Sequence, residues 1–163
     1  MTFSIRNARP DDLAALVALV PRLRAFGSQP LRSDAELDRA EELTLTRAVE
    51  ALADDALLLV AERTAATPSV VGVAYAESAV DYFTREKHGH LGILAVAREA
   101  EGKGAGRALM DAVEGWAAGR GYRFITLNVF AQNERARGVY ERAGYAPDTI
   151  RYAKPLLPPR DAR

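Results

Sequence analysis

The period of apolar and polar positions changes several times along the chain, and each change marks an element. Residues 2–8 alternate and predict a short strand. Pro10 suits the first turn of a helix, with Asp11 and Asp12 at its positive end. Leu13, Leu16, Val17 and Val20 follow at helical spacing until Pro21 bends or stops the run. After a loop over 24–32, Ser33-Asp34-Ala35-Glu36 has the spacing of a capping box. It opens a helical region over 34–53, with Leu45, Val49 and Leu52 on the inner face. Residues 57–63 and 70–77, parted by a turn with Pro68, predict an antiparallel hairpin.

Residues 79–89 are polar and mixed in charge, and read as a loop; 91–96 form an apolar run of strand length. A glycine-rich turn follows, then a helix reaching 119 with Ala105, Leu109, Val113 and Trp116 on one face. Residues 122–130 alternate as a strand. Residues 133–143 form a helix with Ala136, Val139, Tyr140 and Ala143 on one face and Gly144 as its stop. Residues 149–156 read as a last strand, and the tail from 158 frays. The order β-α-α-β-β-β-α-β-α-β predicts an α/β (α+β) domain over 1–157, a mixed sheet with helices on its faces.

Composition narrows the function. The chain has 163 residues, 48% hydrophobic and 27% charged, which fits an ordinary globule and not a disordered chain. Lys and Arg total 22, as do Asp and Glu, so there is no basic excess for nonspecific nucleic-acid binding. The absence of Cys excludes disulfides, Cys-zinc sites and thiol nucleophiles. With only His88 and His90 present, a His-rich metal site is not expected. The longest apolar run, 56–61, falls far short of the ~20 residues of a membrane span. The first residues lack a charged leader followed by an apolar block, so the expected location is cytoplasmic. Heavy use of Arg and Ala suggests a GC-rich bacterial coding bias.

The turn Glu101-Gly102-Lys103-Gly104-Ala105-Gly106 lies between a strand and a helix. Glycines let the backbone approach a ligand, and a helix start adds unpaired amides and partial positive charge. A phosphate or pyrophosphate is the natural guest, with Lys103 and Arg107 as counter-charges. The string lacks the spacing of a P-loop. It also departs from the dinucleotide fingerprint, whose last glycine falls on Arg107.

These residues resemble the signature of the GCN5-related N-acetyltransferase (GNAT) family. Leu94-Ala95-Val96, the glycine turn and its helix match the acyl-CoA block; Asn133, Ala136, Tyr140 and Gly144-Tyr145 match the second block. The resemblance implies acetyl-CoA as co-substrate, its pyrophosphate held by amides from Lys103 to Arg107. It implies pantetheine pairing with Leu94 and Val96, the Val96 N–H on the thioester carbonyl, Asn133 on pantetheine, and Tyr140 near the sulfur as the acid for the leaving thiolate. One departure stands out: the family's Gln or Arg is Glu101 here, and a carboxylate beside a pyrophosphate repels it unless turned to solvent.

Acetylating an amine also requires removing its proton, since a lysine-like amine has a pKa near ~10.4. His90 matches the place where histone-type members carry a glutamate base, and imidazole titrates near neutrality. Glu77, acting through water, is a second candidate, and a water chain alone is a third. Residues 34–55 hold eight acids against Arg39 and Arg47, which would suit a cationic acceptor. The expected activity is direct transfer in a ternary complex; a non-catalytic acyl-CoA sensor on the same fold is the alternative. Many relatives form homodimers.

Overall fold

The computed structural model describes residues 2–27, 29 and 31–156. Two positions of the expected 24–32 loop (28 and 30) and the tail from 157, with the expected domain end, lie outside them. Five strands form one sheet in sequence order: β1 (Phe3–Asn7), β2 (Ala56–Arg63), β3 (Ser69–Val80), β4 (Lys87–Val96) and β5 (Ile125–Leu127). The first three pairings are antiparallel, and β4 with β5 is parallel.

Helices cover both faces. On one side lie α1 (Leu13–Leu19) and α2 (Asp34–Glu50). Pro21 ends α1 as expected: the chain tightens into a 3₁₀ segment over Val20–Arg24. Ser33 and Glu36 close the capping box of α2 reciprocally. Leu16, Leu19, Val20, Leu45 and Ala48 pack on Leu58, Val60, Val73, Ile93 and Ala95. Leu52, expected inside, lies beyond the helix end and is exposed, and Ala48 takes the inner position. On the other face α3 (Ala105–Gly119) sets Ala105, Leu109, Met110 and Val113 against Leu59, Ala61, Val71, Ala74, Ala76 and Leu91. Each fully buried leucine contributes roughly 1.5–3 kcal/mol. The last helix, α4 (Glu134–Arg142), has no buried residue and touches the α3 core through Tyr140, while Val139 is exposed.

Three expectations need correction. The polar stretch 79–89 is strand at both ends: Ala79↔His88 and Val80↔Lys87, beyond Glu77↔His90 and Ser78↔Gly89, extend the β3–β4 ladder, and the expected loop is confined to 81–86. Most of the mixed charge, Asp81, Arg85 and Glu86, sits in that connection, and Lys87 begins the ladder. The strand expected over 122–130 shrinks to Ile125–Leu127, because β4 supplies partners only at Gly89, His90 and Leu91. The strand expected over 149–156 is not formed. Alternation alone does not make a strand without a ladder partner, and Ile150, Tyr152 and Leu156 are exposed.

Candidate active site

The site begins where the sheet comes apart. Tyr75 pairs with Ile93 and Ala76 with Leu91, so Gly92 is an extra residue bulged out of β4. Tyr75 packs there, and a Cβ on Gly92 would sit 3.3 Å from its ring. Below the bulge β4 pairs with β5; above it β4 runs on to Val96 while β5 ends at Leu127. A gap therefore opens along the upper half of β4. The Ala97 N–H reaches the Val71 carbonyl at 2.8 Å, on the β3 side. Strand alternation turns the backbone groups of Leu94 and Val96 the other way, toward the gap. This is the edge that sequence reasoning assigned to pantetheine.

The glycine turn stands at the upper end of that gap. Gly102 and Gly104 have φ of +69° and +93°, left-handed values that side chains disfavour, and open space lies where a Cβ would project at either. The first intrahelical bond of α3 runs from Ala108 N–H to Gly104 O at 3.0 Å, and no side chain caps the helix. The amides of Gly104, Ala105, Gly106 and Arg107 thus precede the ladder with no acceptor among the described residues. The Lys103 amide differs: it is spent on Ala100 O at 3.3 Å. An uncapped, glycine-lined helix start fits a pyrophosphate. Lys103 and Arg107 are exposed beside it, Arg107 holding Asp111 at 2.7 Å.

Glu101 does not point to solvent. Its carboxylate is gripped by Arg22 on one side and by Arg135, at 2.6 Å, on the other. The two guanidiniums hold its pKa below the usual carboxylate range, Arg135 the more strongly. Arg22 also donates to the Val96 carbonyl at 3.4 Å, so that carbonyl is already engaged. Phe26 and Phe130 meet at 5.4 Å between centroids, a second contact between the segment after α1 and the segment after β5. Charge repulsion from Glu101 is thereby neutralised within the protein. Composition did not reveal this, because the partners lie far apart in sequence.

Asn133 caps α4, its side-chain oxygen accepting from the Ala136 amide at 3.1 Å. That leaves its NH₂ as the group available to donate. Tyr140 is half-buried, edge-on to Tyr145 at 6.0 Å, and burial raises its phenol pKa.

At the lower end, on the sheet face opposite α3, Glu77 and His90 are direct cross-strand partners. Tyr75 donates to Glu77 Oε2 at 2.8 Å, and its own pKa is pushed up to about 12 by burial and by that carboxylate. Burial lowers the pKa of His90, which Glu77 partly offsets. His90 Nδ1 lies 2.8 Å from the Thr126 hydroxyl, and His88 Nε2 lies 3.2 Å from the same oxygen. Sequence reasoning missed Thr126; a hydroxyl on the strand parallel to the histidines is its only signal.

The acidic stretch 34–55 is partly neutralised inside the fold. Asp34 and Asp38 hold Arg24, and Asp55 holds Lys87. Glu41, half-buried on α2, has its pKa raised by desolvation. Tyr82 and Phe83 are exposed at the β3–β4 turn and cover no core. Among the described residues no cluster of His, Asp and Glu is placed to hold a metal, and no helix is long and apolar enough to cross a membrane.

A mixed sheet parted at a bulge, with an uncapped helix start at the head of the gap, defines an acetyltransferase fold. The chain belongs to the acetyltransferase (GNAT) family, whose pattern residues 23–145 match. It is 28% identical over 146 residues to the uncharacterized N-acetyltransferase YhfO of Bacillus subtilis (strain 168), covering 90% of this chain and 91% of that protein. A Pyrococcus furiosus protein described as an acetyl transferase superposes with a TM-score of 0.75 at 21% identity, over 95% of this chain and all of that one (100%). The aminoglycoside enzyme AAC(6')-Iy, solved with a CoA-based bisubstrate analogue, superposes with a TM-score of 0.69 at 20% identity, over 96% and 100% of the two chains. At such identities these two structures share the fold.

Proposed function

We propose that this protein transfers the acetyl group of acetyl-CoA to a primary amine by direct attack in a ternary complex. The observation that carries the reading is the run of uncapped amides from Gly104 to Arg107 at the head of a gap lined by outward-facing β4 backbone. A diphosphate on those amides lays the pantetheine arm along Leu94, Ala95 and Val96 and brings the thioester to the middle of the gap. Gly102, Ala105 and Gly106 leave room for it, with Asn133 and Ala136 on the α4 side.

The chemistry needs three groups. The Val96 N–H stabilises charge developing on the thioester oxygen. The His90–Glu77 pair removes the proton of the incoming ammonium. The amine nitrogen then bonds to the carbonyl carbon, the C–S bond breaks, and the thiolate takes the phenol proton of Tyr140, whose raised pKa keeps it protonated at neutrality. With no cysteine in the chain, no acetyl-cysteine intermediate forms. AAC(6')-Iy is an aminoglycoside enzyme, and a cationic acceptor of that kind suits the carboxylate of Glu77.

Thiol release from acetyl-CoA should be followed across polyamines, aminoglycosides, amino acids and N-terminal peptides. Release above the hydrolysis rate with at least one amine, and intersecting double-reciprocal lines, are expected. Tight acetyl-CoA binding without release for any amine would replace the enzyme with a sensor.

A further inference from the structure

Two imidazoles share one hydroxyl. His90 Nδ1 and His88 Nε2 lie 2.8 Å and 3.2 Å from Thr126 Oγ1. A threonine hydroxyl has one proton to give and two lone pairs, and the two ring nitrogens are the hydrogen-bond partners of Thr126 Oγ1 among the described residues, so its own proton is satisfied only if it donates to one ring and accepts from the other. Two proton arrangements are allowed. In the first, His88 Nε2–H donates to Thr126, Thr126 donates to His90 Nδ1, and neutral His90 carries its proton on Nε2. In the second, His90 Nδ1–H donates to Thr126, Thr126 donates to His88 Nε2, and neutral His88 carries its proton on Nδ1.

His88 decides between them. It is buried, stacked on Phe124 at 4.7 Å, and its Nδ1 has no hydrogen-bond partner among the described residues. The second arrangement would strand an N–H there, and buried N–H groups without an acceptor are rarer and costlier than bare lone pairs. The first strands only a lone pair.

We propose that Thr126 is a positioning residue that holds His90 as the Nε2–H tautomer, so that the lone pair accepting the amine proton belongs to Glu77. This rests on the reading of the Glu77–His90 pair as the acceptor-facing end of the site. In the step itself an N–H bond of the ammonium breaks and an O–H bond forms on Glu77; His90 serves as a donor. The titratable groups around His90 include Glu77 and Tyr75 on β3, His88 on its own strand, and Asp55, just before β2, whose charge reaches Tyr75 and which holds Lys87. Asp81, beyond His88, has its carboxylate tied to the Phe83 and Thr84 amides. Burial lowers the His90 pKa, against the pull of Glu77.

Long-range ¹⁵N–¹H spectra of the full chain at pH 8, without substrate, read the tautomers directly. Wild type and Thr126→Ser should show His90 protonated on Nε2 only, and Thr126→Val should shift His90 to a mixture. A His90 Nδ1–H in the wild type, or no change in Thr126→Val, overturns the lock even if every amine is acetylated. Conversely, failure of amine acetylation leaves the spectra unaffected and strikes only the enzymatic reading. Kinetics test the second half. Glu77→Gln should lower kcat about 100-fold, the lower end of general-base effects, with acetyl-CoA affinity unchanged. Thr126→Val should move the acidic limb of the pH–rate profile toward the imidazole range, while Thr126→Ser keeps it in place. Wild-type turnover in Glu77→Gln, or a wild-type limb already in the imidazole range, overturns the assignment to Glu77.

Discussion

Tyr140 is a phenol without a charged neighbour to explain its raised pKa; burial alone is the cause. A desolvated hydroxyl stays protonated, which is the state a leaving thiolate needs. Tyr140→Phe keeps the ring against Tyr145 and removes only the proton. We expect kcat to fall about 100-fold, since general acids contribute roughly 10²–10⁴, with the dissociation constant of acetyl-CoA unmoved in a direct binding measurement. An unchanged kcat would exclude Tyr140 from proton transfer. The resemblance to the family, with residue type and position, made Tyr140, His90 and Glu77 nameable as candidates from the sequence. Their partners were not, because contact distance and sequence distance are unrelated: Glu101 meets Arg22 across 79 positions, and His90 meets Thr126 across 36. A carboxylate that looked misplaced beside a phosphate cradle proves to be one corner of an Arg–Glu–Arg triad.

At the scale of elements, local chemistry was read best where it is self-contained. The capping box of α2 depends on four consecutive residues, and Ser33 and Glu36 form it as the string predicts. Ser33→Ala should destabilise the fold by about 1 kcal/mol, read from a urea unfolding curve with unchanged slope. Gly104 is similarly explicit: its φ of +93° lies outside the comfort of any side chain. Gly104→Ala should cost about 1–2 kcal/mol of stability and weaken acetyl-CoA binding measurably in calorimetry, because the new Cβ projects into the space assigned to phosphate. Wild-type affinity in that variant would move the diphosphate elsewhere. Strand ends were read worst, and for one reason. A strand's length is set by its neighbour, so β5 stops where β4 veers off at Gly92, and β4 begins early because β3 reaches down to meet it. The 149–156 segment has the alternation of a strand but no ladder.

For the whole molecule, a zero net charge conceals an uneven titration. Asp12 and Glu62 share Arg6, Asp38 holds Arg24, Asp55 holds Lys87, Asp81 accepts backbone amides, and Glu101 holds Arg135 and Arg22; each has its pKa lowered by those partners. Glu41 moves the other way, through burial. A lowered carboxylate pKa means the folded state binds fewer protons than the unfolded chain. Its stabilisation is therefore fully present above the ordinary carboxylate pKa of ~4 and is lost as pH falls through the lower folded value. Glu41, with the opposite sign, offsets a small part. Acidification also leaves the chain strongly cationic, which adds self-repulsion. The melting temperature should thus hold near neutrality and fall steeply below pH ~4.

Asp12 is the sharpest probe of this balance. It is buried and accepts from Arg6 at 2.7 and 3.0 Å and from the Arg9 amide at 2.7 Å, tying β1 to the start of the first helical segment. Asp12→Asn should cost about 2 kcal/mol at pH 7, the scale of a hydrogen bond to a charged group. For a domain of this length that is a melting-point loss of about 4–8 °C. The loss should shrink as pH falls, because the wild-type carboxylate is then protonated as well. A melting-point difference that stays constant from pH 7 to pH 3 would show that Asp12 acts through shape and not through its charge.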